Sequence, residues 1–151
     1  MRIDVDDLTD PKVIAFLEDH VAQLRALSPP ESTHALDLEG LRAPGVVVWS
    51  AREDDRVVGC AALQRLDDAH AEVKSMRTAA DLARRGVATA LLTTLLDHAR
   101  EAGYRRVSLE TGAEDFFAPA RALYARHGFE ECPPFAGYRP DPLSVFMTLE
   151  L

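Results

Sequence analysis

Residues 71–100 read AEVKSMRTAADLARRGVATALLTTLLDHAR, and this stretch decides the fold of the chain. Alternation within 72–78 predicts a strand, and apolar residues that recur at helical spacing from Val87 onward predict a long helix. A helix that begins directly after a strand points its unpaired N–H groups beyond the strand end, where they bind phosphate or pyrophosphate groups. Gly86 lets a ligand approach the backbone, and Arg84 and Arg85 add positive charge. This turn is therefore predicted to bind an anion.

The alternation within 72–78 also assigns faces to the side chains of the predicted strand. One face is expected to carry Glu72, Lys74, Met76 and Thr78, because side chains alternate along a strand. Arg77 is expected on the other face, as a solvated or ion-paired arginine.

Composition limits the classes of function that the chain can have. Its 151 residues fit one domain, 1–151, and carry a formal net charge of -8. That charge disfavours nucleic acid and anionic membranes as partners, so a polyanionic ligand needs a local basic patch. Neither an export signal nor a stretch long enough to span a bilayer is apparent, and a cytoplasmic protein is expected. Cys60 and Cys132 lack metal-ligand spacing, and no metal site is expected.

The rest of the chain alternates between strand and helix patterns. Strands are predicted at 5–8, 46–51, 56–66, 105–110, 129–132 and 144–151, and helices from Pro11, at 35–41 and at 116–127. The strands at 46–51 and 56–66 read as a hairpin. These elements predict an α+β domain with a mainly antiparallel sheet and a central strand–turn–helix crossover.

Two segments of the chain form an ordered pair of motifs. Residues 72–88 run from a strand through a glycine turn into a helix, and residues 120–129 read ARALYARHGF. They resemble the R/Q-x-x-G-x-G/A cofactor motif and the A-x-x-L-Y-x-x-x-G-F signature of the GNAT superfamily of acyl-CoA N-acyltransferases. Ala83 stands where the first motif usually has Arg or Gln, and Phe117 where the second often has Asn. The resemblance implies a mixed, mainly antiparallel sheet of about six or seven strands flanked by about four helices.

The resemblance also implies an activity. It indicates an N-acetyltransferase that moves an acetyl group directly from acetyl-CoA to a primary amine of a small molecule or an amino terminus, without a metal. Acetyl-CoA would lie between the central strand and residues 105–110. The residues implied to contact it are Met76, Thr78, Ala83, Arg84, Arg85, Gly86, Val87, Ala88, Thr89 and Tyr124. Family members often pair, so a homodimer is expected.

Three groups are expected to carry the chemistry. The resemblance places Tyr124 near the CoA sulfur, where a phenol can protonate the leaving thiolate, and the alternative is a buried tyrosine bonded to a backbone carbonyl. The backbone N–H of Met76 would polarise the thioester carbonyl. Glu72 is a candidate general base, and the alternative is a glutamate on the sheet surface that pairs with Lys74 or an arginine. Glu110, which could equally anchor an arginine, is the second candidate base, and an ordered water molecule could replace both.

The acceptor side is less specific in the sequence. Glu110 and His34 are assigned to substrate binding, although a loop histidine is also typical of an ordinary surface. Aromatic residues that either line the acceptor pocket or belong to the core are Trp49, Phe116, Phe117, Phe135 and Tyr138.

Two other classes of protein would use a similar turn. A non-catalytic acyl-CoA-binding module would have the same turn, but it needs no base and no proton donor. A nucleotide-binding P-loop is excluded because no Gly-Lys-Ser/Thr follows the turn.

Overall fold

The computed structural model describes residues 1–27 and 37–151. Within these ranges it contains four α-helices: α1 (Pro11–Leu27), α2 (Leu38–Leu41), α3 (Val87–Glu101) and α4 (Ala118–Arg126). The strands are β1 (Arg2–Val5), β2 (Val46–Glu53), β3 (Arg56–Arg65), β4 (His70–Thr78), β5 (Arg106–Gly112), β6 (Glu130–Glu131) and β7 (Ser144–Glu150).

All seven strands belong to one sheet. Its order is β1-β2-β3-β4-β5-β7-β6. Every neighbouring pair is antiparallel except β4 and β5, which run parallel and are connected through α3. The predicted α+β class, the predicted strand and helix numbers and the predicted strand–turn–helix crossover are confirmed.

Helices pack on both faces of the sheet. On one face the apolar side of α3 is fully buried, with Leu91, Leu92 and Leu95 all 0 % exposed. α4 joins the same core through Leu123 and Tyr124. On the other face, α1 packs against β3 in a second, smaller core. The sheet is therefore covered on two sides, which buries its central strands.

α3 approaches β3 closely at a glycine. A Cβ atom on Gly59 would lie 2.8 Å from Leu91 Cδ1 and 2.9 Å from Val87 Cγ1. The absence of a side chain at Gly59 thus sets the depth at which α3 packs on the sheet.

The prediction of a first strand at 5–8 was wrong. β1 covers Arg2–Val5 and pairs with β2, Val5 opposite Trp49. The chain then turns, because the Asp6 carboxylate accepts a hydrogen bond from the Leu8 N–H at 2.8 Å and Leu8 has a φ of 62°. Leu8 is buried beyond this turn, in the α1 core.

The prediction of strict alternation in β4 was also wrong. Lys74 lies opposite Ala62 and Arg77 opposite Cys60, so three steps on β4 match two on β3. This is a β-bulge, centred on Ser75 with a φ of 54°. Side chains beyond the bulge change faces: Arg77 shares the face of Lys74, and Met76 packs against the α3 core.

Other element boundaries also differ from the prediction. α4 begins at Ala118 rather than at 116, because Asp115–Phe117 forms a short 3-10 turn. α2 begins at Leu38, where the Asp37 carboxylate caps the Gly40 N–H at 2.9 Å. β6 is only two residues long. In the described part of the chain, no helix is both long and apolar enough to cross a membrane.

Candidate active site

The turn between β4 and α3 is an open, exposed cradle. Arg84 and Gly86 have positive φ values of 65° and 86°. Among the residues that the structure describes, no side chain caps the start of α3, and a Cβ atom on Gly86 would meet nothing within 4 Å. There is room beside the backbone of this turn for a bulky group.

The helix start offers unpaired donors to that space. The Ala90 N–H donates to the Gly86 carbonyl at 3.0 Å, which is the first backbone bond of α3. The N–H groups of Val87, Ala88 and Thr89 come before it and have no acceptor within the helix. With the positive end of the helix dipole they favour an anion, so the residues present fit the pyrophosphate of a CoA molecule.

The acidic residue of the turn is engaged elsewhere. Both terminal guanidinium nitrogens of Arg56 bind the Asp81 carboxylate, at 2.6 and 2.8 Å, and these hydrogen bonds lower the pKa of Asp81. Arg84 and Arg85 are exposed at the same turn. The balance of charge around the cradle is therefore positive, although the chain as a whole is negative.

β4 and β5 separate after a short parallel pairing. Their register pairs are His70 with Arg106, Ala71 with Val107 and Glu72 with Ser108. Beyond Glu72, β4 runs on to Thr78 and β5 to Gly112 without pairing to each other. Their facing edges leave a cleft, and an extended ligand can pair there as a strand pairs with its neighbour.

Glu110 lies on β5, beyond the point where the two strands separate. Burial raises the pKa of Glu110 to about 7, and the charges of Glu72 and Asp141 act in the same direction. The Ser144 hydroxyl and the charge of Lys74 oppose this shift. A carboxyl group with such a pKa is half ionised near neutrality, which suits a general base.

Tyr124 lies on α4 and is part of the α3 core. It is 5 % exposed and packs edge-on against Phe129, with ring centroids 5.7 Å apart. Burial, and then the charge of Glu110, raises the pKa of Tyr124 above its ordinary value. Its hydroxyl therefore keeps its proton at neutral pH and can serve as a donor.

A pocket of about 590 Å³ opens beside β4. One side of the pocket is lined by Gln64 near the end of β3, Leu66 just after β3, and Glu72 and Lys74 on β4. The other side is lined by residues 136–141 of the β6–β7 loop. The pocket is thus formed between the sheet and a loop that is distant in sequence.

Three polar side chains form a closed network in this pocket. Glu72, which is 2 % exposed, accepts a hydrogen bond at its Oε2 from the Tyr138 hydroxyl at 2.5 Å. Lys74 Nζ lies 3.3 Å from the same oxygen and donates to the Tyr138 hydroxyl at 2.7 Å. Burial and the charge of Glu72 raise the pKa of Tyr138 above its ordinary value. Glu72 is therefore held in a network that joins the loop to β4.

The structure distributes the predicted site residues over β4, the turn that follows it, β5 and α4. The turn 83–89 lies at the end of β4, and Glu72 and Glu110 lie on the two strands that separate. The Met76 side chain packs in the α3 core, while Ser75 and Met76 have no register partner on β3. His34 lies outside the described residues.

Sequence analysis missed part of the pocket wall. Arg139 and Asp141 line the pocket but carry no sequence signal beyond their place in a proline-rich loop. Among the aromatic candidates, Tyr138 lines the pocket, whereas Trp49 belongs to the core and Phe116 is 52 % exposed. Over residues 1–27 and 37–151, no cluster of three or more His, Cys, Asp or Glu could hold a metal ion.

Comparison with known proteins decides the family. The model of the Acetyltransferase (GNAT) family matches residues 13–129. The chain belongs to the GNAT acetyltransferase family.

Full-length relatives agree with this assignment. The uncharacterized N-acetyltransferase YsnE of Bacillus subtilis is 50 % identical to this GNAT protein over 100 % of both chains. The uncharacterized N-acetyltransferase YedL of Escherichia coli is 48 % identical over 99 % of this chain and 94 % of its own. A solved Klebsiella pneumoniae structure described as an acyl-CoA N-acyltransferase has a TM-score of 0.83 and 30 % identity, covering 99 % of this chain and 97 % of that one.

These likenesses confirm the predicted class of enzyme. The GNAT protein is an N-acetyltransferase that uses acetyl-CoA as the acyl donor, and amines are its acceptors. The family assignment favours the enzyme over the non-catalytic binding module.

Proposed function

We propose that this GNAT enzyme transfers the acetyl group directly to a primary amine of a small molecule, with donor and acceptor meeting in the cleft between β4 and β5. The observation that carries the proposal is the separation of the two strands after Glu72, beside the partly buried carboxyl group of Glu110, which has a pKa of about 7. The cofactor supplies an acetyl thioester that is already activated. The chain has to position the two reactants, move a proton and exclude water.

The donor side is formed by backbone groups. The turn 83–89 would hold the pyrophosphate through the N–H groups at the start of α3, with Arg84 and Arg85 beside it. The free edge of β4 at Met76 and Thr78 would pair with the amides of the pantetheine arm. The bulge supports this role because its extra residue lacks a partner on β3, which leaves the Met76 N–H available to polarise the thioester carbonyl.

Glu110 is the proposed base. Its pKa of about 7 lets it accept a proton from an ammonium group at neutral pH, whereas Glu72 is already bound by Tyr138 and Lys74. The role of Glu72 is then to hold Tyr138 and Lys74 in place on the acceptor side.

Tyr124 is the proposed donor of the proton to the departing thiolate. Its burial keeps the phenol neutral, and the nearby charge of Glu110 strengthens that preference. Glu110 and Tyr124 would therefore act on opposite ends of the reaction, one removing a proton and the other supplying one.

The proposal is tested by incubating the enzyme and acetyl-CoA with a panel of primary amines and short peptides. We expect amine-dependent release of free CoA thiol with a matching gain of acetyl mass on small amines. Thiol release that no amine accelerates, with acetyl-CoA bound, would contradict the proposal. The homodimer, the cytoplasmic location and the single domain stay predictions.

A further inference from the structure

The further inference rests on the proposed function and concerns the chemical class of the acceptor. The residue that carries it is Arg77. The alternation within 72–78 predicts Arg77 on the far face of β4, as a solvated or ion-paired residue. The bulge instead turns Arg77 onto the face that carries Glu72 and Lys74.

Arg77 is partly buried without a counter-charge. Its Nη1 is buried and has no hydrogen-bond partner in the part of the chain that the structure describes. Within residues 1–27 and 37–151, no acidic side chain forms an ion pair with it. A guanidinium group carries five N–H donors and is costly to bury without an acceptor. An unused donor in such a place is a reason to look for an anionic ligand.

Among the described residues, the groups around Arg77 do not supply a negative charge. Its guanidinium carbon lies 5.3 Å from the centre of the Phe16 ring on α1. Burial, together with the charge of Arg77, lowers the pKa of His20 to about 4, so the imidazole is neutral. Burial raises the pKa of the Cys60 thiol to about 12, so it is neutral as well. The carboxylate of Asp6, whose charge acts on the Cys60 thiol, is bound by the Ser50 hydroxyl at 2.8 Å and by Arg52 at 3.6 Å.

Arg77 lies on the acceptor face at a defined distance from the pocket. Arg77 and Lys74 stand opposite Cys60 and Ala62, two positions apart on β3, which corresponds to about 7 Å along the strand. Glu110 lies two residues beyond Ser108, the last β5 residue that pairs with β4, and the charge of Lys74 lowers the pKa of Glu110. Lys74 is thus close to the proposed base, and Arg77 lies about 7 Å further along the same strand.

We infer that Arg77 binds a carboxylate of the acceptor, and that the enzyme acetylates free amino acids in preference to amines without a carboxylate. A carboxylate accepts two parallel hydrogen bonds from one guanidinium group, and such pairs are both strong and directional. The amine at Glu110 and the carboxylate at Arg77 would fix both ends of a small amino acid. In a peptide, the carboxyl group of the N-terminal residue is part of an amide bond. A peptide amino terminus would therefore lack the carboxylate that contacts Arg77.

The test compares matched substrates and matched variants. Free amino acids are assayed against the corresponding amino acid amides with wild-type enzyme, Arg77→Met and Arg77→Lys. We expect wild-type kcat/KM to be about tenfold to a hundredfold higher for the best acid than for its amide. In Arg77→Met, KM for the acid should rise until the ratio of acid to amide is about one. Arg77→Lys should keep part of the preference for the acid. KM for acetyl-CoA should not change in either variant. Arg100→Met, which removes an exposed arginine of α3, serves as the control.

A second measurement does not depend on turnover. Thermal unfolding is followed with each acid and each amide at the same millimolar concentration. We expect the best acid, and not its amide, to raise the Tm of wild type and of Arg100→Met, and neither to raise the Tm of Arg77→Met. Without ligand, Arg77→Met should be at least as stable as wild type, because it removes a buried cation that lacks a partner.

The outcomes separate the two proposals. Acetylation of amides and acids at equal efficiency, or a rise in KM for acetyl-CoA in Arg77→Met, would overturn the inference and leave the enzyme assignment intact. A large loss of Tm in unliganded Arg77→Met would make Arg77 a structural residue and would also overturn it. Absence of any acetylation would contradict the proposed function, while the Tm shifts would still decide whether Arg77 binds a carboxylate.

Discussion

The Tyr138 hydroxyl lies 2.5 Å from Oε2 of Glu72, and the two residues are 66 positions apart in the chain. This hydrogen bond ties the β6–β7 loop to β4 across the pocket. Lys74 touches both partners, so the contact is part of a three-residue network rather than an isolated bond. We propose that this pocket receives the acceptor and that the network fixes its shape.

Tyr138→Phe should therefore loosen the acceptor side alone. We expect KM for the amine to rise about tenfold, with KM for acetyl-CoA unchanged, because the loop loses its bond to Glu72 but the turn before α3 is untouched. Steady-state kinetics with each substrate varied in turn measures both constants. A rise confined to KM for acetyl-CoA would place Tyr138 on the donor side instead.

The activity should depend on the ionisation of Glu110. Because burial raises its pKa from 4.5 to about 7, the carboxylate needed as a base is present above pH 7 and is lost below it. A pH profile of kcat/KM should rise through about pH 7 and then level. Glu110→Gln should lower kcat/KM by about 10² or more and lose this rise. If the rise persists in Glu110→Gln, water or Glu72 is the base.

Gly86→Glu should abolish binding of acetyl-CoA. The new side chain would project into the open space beside the turn and place a negative charge where the pyrophosphate is expected. Gly103→Glu is the matched control, because Gly103 lies just past the other end of α3. Its φ of 89° is close to the 86° of Gly86, and an added Cβ atom meets nothing within 4 Å at either position. We expect calorimetry to show at least a hundredfold weaker binding for Gly86→Glu only. Equal binding by both variants would exclude this turn as the site.

Tyr124→Phe should slow the reaction without weakening the donor complex. The substitution keeps the ring packing on Phe129 and removes only the proton that the thiolate would take. We expect kcat to fall at least tenfold and the Kd of acetyl-CoA to stay within twofold. Tyr104→Phe, at the end of the sheet where β4 and β5 are paired, should leave kcat unchanged. Unchanged kcat in Tyr124→Phe would remove its acid role.

Gly59→Ala should destabilise the fold. Its Cβ atom would lie 2.8 Å from Leu91 and 3.1 Å from the Arg77 carbonyl oxygen, so α3 has to shift away from β3. The expected loss in free energy of unfolding is about 1–3 kcal/mol, measured by urea denaturation. Gly137→Ala, where an added Cβ meets nothing within 4 Å, should change it by less than about 0.5 kcal/mol. Equal stabilities would mean that α3 is not held at this depth by Gly59.

Local patterns were sufficient to predict α3 and the turn before it. The apolar spacing of α3 and the position of Gly86 are properties of short segments, and the fold follows from them. The bulge at Ser75 was not predictable in this way, because it arises from pairing three steps of β4 with two of β3 and needs no glycine. That one extra residue reversed the predicted faces of Met76 and Arg77.

The choice of base could not be made from residue type either. Glu72 and Glu110 are the same amino acid on neighbouring strands, and each is plausible by position. What distinguishes them is a hydrogen bond from Tyr138, whose place over the sheet depends on the β6–β7 loop. Long-range contacts of this kind have no signature in a single sequence.

The short parallel pairing of β4 with β5 has a consequence for hydrogen exchange. Amide protons that point into the cleft between the two strands have no carbonyl acceptor across it, so they should exchange with solvent faster than amides between β2 and β3. A bound pantetheine arm would supply those acceptors and slow the exchange. The bound acyl donor would then complete the hydrogen bonding of the sheet between β4 and β5. These two strands should unfold cooperatively with the rest of the sheet only while the donor is bound.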